Sequence, residues 1–257
     1  MKLFHRRYGQ EGDQPLVILH GLFGLSDNWD SLARQFAKTG LDVIVPDQRN
    51  HGRSGHSDTM LYEAMSDDLL ELVDGLGLET IHLLGHSMGG KVAMQFAFDY
   101  PERISKLIIA DISPEASGNR VHDDLIDLMC SAELEKRTSR KEVEAYLAEK
   151  IPNERIRLFL LKNVYWKDKS TLGWRMNLKV IKNSLSEIFR GIDAYYPYDK
   201  DVLFLRGEKS DYITDESIPR IKQVFPLADL KTIKKGTHWL HADNPEDFAE
   251  EVLNYLK

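Results

Sequence analysis

The chain has 257 residues, a formal charge of −7, 42% hydrophobic and 29% charged residues, the profile of an ordinary soluble domain and not of a disordered or fibrous protein. At this length roughly three quarters of the extended-chain surface can be buried, so one large domain or two small ones are expected. The acidic balance, with no clustered run of Lys and Arg, argues against a nucleic-acid partner, whose binding needs such clusters to displace counterions.

Cys130 is the only cysteine. An intrachain disulfide and a cysteine-based zinc site are thereby excluded, which suits a reducing compartment. The opening residues MKLFHRRYGQ carry basic groups without a following apolar run, and no stretch approaches the roughly 18 apolar residues of a membrane span. A cytoplasmic protein is expected.

In chain order, short apolar runs at Leu16–Leu19, Val43–Pro46, Ile81–Leu84, Leu107–Ala110, Val202–Leu205 and Leu230–Ile233 predict buried strands. Helical patterns at Trp29–Lys38, Tyr62–Leu76 and Gly90–Asp99 lie between the early runs. Strands apolar on both faces, separated by amphipathic helices, predict an α/β fold with a mostly parallel sheet covered on both sides. Pro101 after Tyr100 predicts the end of the third helix, and Asn244-Pro245 predicts an N-cap and first-turn proline for a C-terminal helix.

Between about Ser113 and Pro197 the alternation gives way to charged helical patterns at Asp123–Cys130, Lys141–Lys150, Glu154–Val164 and Leu178–Arg190. The strand pattern resumes at Val202, so residues 113–196 are expected to be a helical cap, or lid, inserted into a core of residues 1–112 and 197–257.

Directly after the strand Ile81–Leu84 comes Gly85-His86-Ser87-Met88-Gly89-Gly90, then a helical pattern. A G-x-S-x-G sequence between strand and helix fits a sharp turn that projects a serine hydroxyl clear of the sheet, with glycines where side chains would clash. Ser87 is thus the candidate nucleophile. A hydroxyl needs a base to take its proton, and that base needs a group to hold its tautomer. His238, in Lys235-Gly236-Thr237-His238-Trp239 after the last strand, stands where a Ser…Asp…His chain order puts the base. His241 is read as a packing residue. An oxyanion needs two backbone donors, and the amides of Leu22, in His20-Gly21-Leu22-Phe23-Gly24, and of Met88 are the candidates. His20 is read as a brace for its loop.

Two carboxylates compete for the orienting role. Asp111 follows the strand Leu107–Ala110, and Asp211 follows Val202–Leu205 in Arg206-Gly207-Glu208-Lys209-Ser210-Asp211. Either could stand at the carboxyl edge of the sheet, where open α/β folds place their sites. Asp211 sits one position beyond the acid of a G-x-x-D loop, a displacement that redirects a side chain.

HGLFG with Asp27-Asn28-Trp29, then DQRNHGRS at Asp47–Ser54, GHSMGGK, DISP and GTHWLHADNP follow one another in this order. Together they resemble the α/β-hydrolase superfamily, and specifically the YbfF/ABHD11-like serine esterases. The resemblance spans nearly the whole chain. It implies the α/β-hydrolase fold with a helical cap, a serine esterase or thioesterase acting on small to medium acyl esters, and no metal or organic cofactor. It carries the nucleophile to Ser87, the base to His238 and the acid to Asp111, with Asp211 as the alternative acid. The same fold also hosts C–C hydrolases and lyases, and receptors that bind a small ligand with little turnover.

Asp47, Arg49 and His51 are read as loop braces. Phe23 is the first candidate for the wall of an acyl pocket, with Met88, Trp166, Trp174, Tyr195 and Tyr196 behind it. Arg120, Lys162 and Arg175 are read as a solvated face, with an acidic acyl carrier as the alternative.

Overall fold

The computed structural model describes residues 1–117 and 120–257, the side chains of 120 and 121 excepted. In strand β2 (Gln14–Leu19), Leu16 and Ile18 enter one apolar layer while Val17 and Leu19 enter the other, and all four are buried. The same two-sided burial recurs in β3 (Leu41–Pro46), β4 (Ile81–His86), β5 (Ile104–Ala110) and β8 (Val202–Gly207). Strands apolar on both faces are stable only with cover on both faces.

Helices α1 (Asp30–Ala37) and α11 (Pro245–Leu256) provide cover on one side, α2 (Tyr62–Gly75) and α3 (Met88–Asp99) on the other. As expected, α3 stops before Pro101, and α11 begins with Pro245 while the Asn244 side chain accepts the Asp247 amide at 3.2 Å. With β1 (His5–Tyr8) and β9 (Ala228–Ile233) at the edges, the seven strands run in the order β1-β3-β2-β4-β5-β8-β9. Every pairing is parallel but that of β1 with β3. Strand β1, His-Arg-Arg-Tyr, carries no apolar run, which hid it from the pattern reading.

Between β5 and β8 lie α4 (Arg120–Cys130), α5 (Arg140–Ala148), α6 (Glu154–Leu161), α7 (Leu178–Asn183) and α8 (Leu185–Ile188). A hairpin of β6 (Val164–Trp166) and β7 (Leu172–Trp174) lies among them, in a stretch that the sequence reading leaves without an element apart from Val164. The expected helix over Glu154–Val164 therefore ends at Leu161. A tight turn explains the hairpin: Asp168 Oδ1 accepts the amides of Ser170 and Thr171 at 2.8 and 2.9 Å, the side-chain mimic of a backbone turn. The expected helix over Leu178–Arg190 is broken at Ser184, which leaves the helical region. The ends of the segment are tied to each other, Ser117 N donating to Phe189 O and Ile192 N to Pro114 O, both at 2.8 Å. The buried Lys91 ammonium donates to the carbonyls of Glu115 and Arg190 beside them, and burial pushes its pKa down to about 7. Among the described residues, no helix is long and apolar enough to cross a membrane.

Candidate active site

Ser87 links β4 directly to α3 with φ 54° and ψ −121°, a conformation that L-residues adopt at a cost of about 1–3 kcal/mol. The surroundings enforce it. The Ser87 amide donates to Ala110 O of β5 at 3.0 Å, and Ser87 O accepts the amides of Gly90 and Lys91 in the first turn of α3. A Cβ on Gly89 would lie 2.4 Å from Leu19 O, and one on Gly85 would lie 2.2 Å from Gly89 O. The two glycines of the motif thus permit the close approach of β4, α3 and the end of β2 on which the turn depends.

Parallel strand order then gathers the partners at one edge. Loops leaving the carboxyl ends of β2, β4, β5, β8 and β9 meet above the sheet, as open α/β sheets require of their sites. His238 Nε2 lies 2.8 Å from Ser87 Oγ, and its Nδ1 lies 2.8 Å from Asp111 Oδ2. A carboxylate accepts only, so Nδ1 carries a proton, and in the neutral ring Nε2 presents its lone pair to the hydroxyl. Asp111 is fully buried, in positive φ at 51°, with its own amide bonded to Leu205 O at 2.8 Å. A buried carboxylate is costly unless its oxygens are bonded. Here Oδ1 accepts Gly207 N at 2.9 Å, and Oδ2 accepts both His238 Nδ1 and the Ser210 hydroxyl.

The structure therefore brings Ser87, His238 and Asp111 together and leaves Asp211 apart. Asp211 is exposed and borders a separate recess of about 290 Å³ with Ser113 and Ser217. Ser210, one residue earlier, is turned to the carboxylate instead.

The loop after β2 is braced as the sequence suggests. Gln48 N donates to His20 Nε2 at 3.0 Å, so His20 Nδ1 holds the proton and donates to Gly21 O at 2.9 Å. Burial pushes the His20 pKa down and keeps the ring neutral. Phe23 N donates to His51 Nε2 at 3.3 Å, Asn163 Nδ2 donates to Phe23 O at 2.8 Å, and Gly24 N donates to Gly21 O. The Leu22 amide takes no part in these bonds. Leu22 and Met88 border a narrow recess at Ser87. Asp47 accepts the amides of Ser26 and Arg53, and Arg49 makes a two-pronged pair with Asp68 at 2.7 and 2.9 Å, so both serve the loop framework.

A cavity of about 520 Å³ opens at Ser87 and His238, with walls predominantly apolar, including Phe23, Leu125, Ile156, Phe159 and Trp239. Phe23 lies on the wall of this cavity. Met88 borders the narrow recess and not this cavity, Trp166, Tyr195 and Tyr196 are exposed, and Trp174 donates to Met129 O at 3.0 Å away from it. Lys162 reaches the cavity wall, Arg175 stacks over Tyr165, and the Arg120 side chain lies outside the described residues. His241 is buried against Trp29, ring centroids 4.3 Å apart and planes 12° from parallel, as a packing residue would be.

Several neighbours carried no sequence signal. His86 Nε2 donates to His238 O at 2.7 Å, and burial pushes its pKa down to about 3. Tyr212 stacks on His238 with centroids 3.6 Å apart and planes 14° from parallel. Ile156 and Phe159 show helical spacing, but spacing alone does not separate a core wall from a cavity wall.

The chain as a whole is similar to known proteins. The family profile described as alpha/beta hydrolase fold matches residues 14–129. The sn-1-specific diacylglycerol lipase ABHD11 of Danio rerio is 35% identical over 255 residues, covering 97% of this chain and 80% of the relative. Esterase YbfF of Escherichia coli (strain K12) is 30% identical over 247 residues, covering 96% of this chain and 94% of the relative. Among solved structures, a marine microorganism esterase superposes with a TM-score of 0.95 at 42% identity over 99% of both chains. The chain belongs to the α/β-hydrolase fold family and, within it, to the YbfF/ABHD11-like esterases.

Proposed function

We propose that this serine ester hydrolase cleaves small to medium acyl esters, or acyl thioesters, through an acyl-enzyme on Ser87. His238 Nε2 takes the proton of Ser87 Oγ as the oxygen attacks the carbonyl carbon, and Asp111 holds the imidazolium that results. The amides of Leu22 and Met88 receive the oxyanion, aided by the N-terminus of α3. His238 returns the proton to the departing alcohol or thiol. Water, deprotonated by the same imidazole, then releases the acid.

The observation that carries this reading is the unbroken line from Ser87 Oγ through His238 to Asp111, at 2.8 Å for each contact, opening on an apolar cavity of about 520 Å³. A cavity of that size and lining suits a hydrocarbon acyl group. Residues 113–196 act as its lid, since Leu125, Ile156 and Phe159 from that segment form part of the wall. The lone, exposed Cys130 favours a reducing compartment such as the cytoplasm.

The test is a panel of p-nitrophenyl esters and acyl thioesters of rising chain length, run with wild type beside Ser87→Ala. Steady turnover by the wild type with a loss of about 10⁵-fold or more in the variant is expected. Comparable turnover by Ser87→Ala would overturn the nucleophile. A single equivalent of product from the wild type would favour a ligand receptor.

A further inference from the structure

The imidazole of His238 has its two nitrogens committed, Nδ1 to Asp111 and Nε2 to Ser87, and an aromatic ring lies flat on one of its faces. That ring is Tyr212, with centroids 3.6 Å apart and planes 14° from parallel. The other rings near His238 sit differently: His86 is 4.9 Å away and tilted by 39°, and Trp239 meets it edge-on at 6.2 Å. Only Tyr212, among these, offers its π-face at stacking distance.

The end of β8 and the loop after it supply the support. The amide of Gly207, the last residue of β8, bonds Asp111 Oδ1, the Ser210 hydroxyl bonds Asp111 Oδ2, and Ser210 Oγ accepts the Tyr212 amide at 3.3 Å. The side chain that bonds the carboxylate thus also fixes the backbone from which the stacking ring projects. Tyr212 borders both smaller recesses and, beside His238, the apolar cavity.

We infer that Tyr212 is a positioning residue for the base: its ring face holds the His238 plane on the Ser87–Asp111 line and favours the imidazolium that forms during attack. An aromatic face is electron-rich: it stacks on a neutral imidazole and attracts an imidazolium more strongly. His238 acts as a base in the form whose Nδ1 proton is given to Asp111 and whose Nε2 carries none. It becomes a cation when it takes the serine proton. The interaction therefore strengthens on the way to the transition state, and an interaction of that kind raises kcat instead of lowering KM. The inference rests on His238 being the base.

The experiment compares Tyr212→Phe, Tyr212→Leu and a series of Phe analogues at position 212 carrying rising numbers of ring fluorines, all assayed on one short p-nitrophenyl ester, with His238→Ala and Ser87→Ala alongside. Tyr212→Leu removes the π-face and is expected to lose about five- to tenfold in kcat with a much smaller change in KM. Tyr212→Phe should restore at least half of the lost activity. Within the fluorinated series, log kcat should fall steadily with fluorine number, because fluorine drains the ring face without altering its packing. A flat fluorine series, or a Leu variant with wild-type kcat, would overturn the inference. Equal losses in Phe and Leu would also overturn it by assigning the effect to the hydroxyl. Retained turnover in His238→Ala would instead bring down the proposed function, so the two failures are told apart.

Discussion

His238 Nδ1 lies 2.8 Å from Asp111 Oδ2, across 127 residues of chain, while Asp211 in the neighbouring loop remains exposed. The carboxylate that meets the imidazole is fully buried and bonded by a backbone amide, a hydroxyl and the ring itself. In the proposed reaction a carboxylate so held would fix the tautomer and stabilise the imidazolium.

Asp111→Asn should cost on the order of 10⁴ in kcat, because an amide at this place can donate to Nδ1 and hold the wrong tautomer. Asp211→Asn should stay within about twofold, as an exposed group with no bond to His238. Steady-state kinetics on one ester decide between them, and a crippled Asp211→Asn with an active Asp111→Asn would reverse the assignment.

Gly89→Ala should damage both fold and site. Its Cβ would enter backbone space at 2.4 Å from Leu19 O and 2.7 Å from His20 O, where no side chain can swing aside. A loss of roughly 2 kcal/mol or more is expected, about 4–8 °C in Tm for a chain of this size. Thermal unfolding checks the first part. The second is a fall in kcat, since α3 must retreat from the loop that carries Leu22.

Stability should fall as the pH drops below about 6.5. Burial is the first cause of the lowered pKa of His20, His51, His86 and His241, with His51 and His86 pushed to about 3. These rings are neutral when folded and titrate near 6.5 when unfolded, so the unfolded chain binds more protons between those values. The contribution is fully present above pH 6.5 and is lost as the pH falls below it, for His51 and His86 down to about pH 3. Tm measured across this interval should decline steadily, and a Tm independent of pH from 7 to 5 would contradict the assignment of neutral rings.

Ile156→Trp should shorten the accepted acyl group. Ile156 borders the 520 Å³ cavity, and an indole there would occupy space open to the far end of a chain. The expected signature is a fall in kcat/KM for octanoyl esters at least tenfold greater than that for acetyl esters. Equal falls for both would place the acyl group elsewhere.

The amino-acid sequence by itself determined the α/β class, the strand-to-helix turn at Ser87 and the caps of the last helix. These are local matters, decided by the period of apolar residues, by glycines placed where a Cβ would collide, and by an asparagine before a proline. The same locality explains the misses. Strand β1 is polar and pairs with β3 at the sheet edge, and the β6–β7 hairpin, closed by Asp168, lies between two expected helices in a stretch that the sequence reading leaves without an element apart from Val164.

What only the tertiary structure decided was which distant groups touch. Asp111 and Asp211 look alike as loop carboxylates, and the choice follows from β5 and β8 lying side by side, so that Gly207 and Ser210 bond the first and turn the second outward. Tyr212 on His238, and Ile156 and Phe159 on the cavity, belong to the same class of fact. Periodicity encodes which face of an element is apolar, but the partner of that face is set by strand order and by packing between segments far apart in the chain.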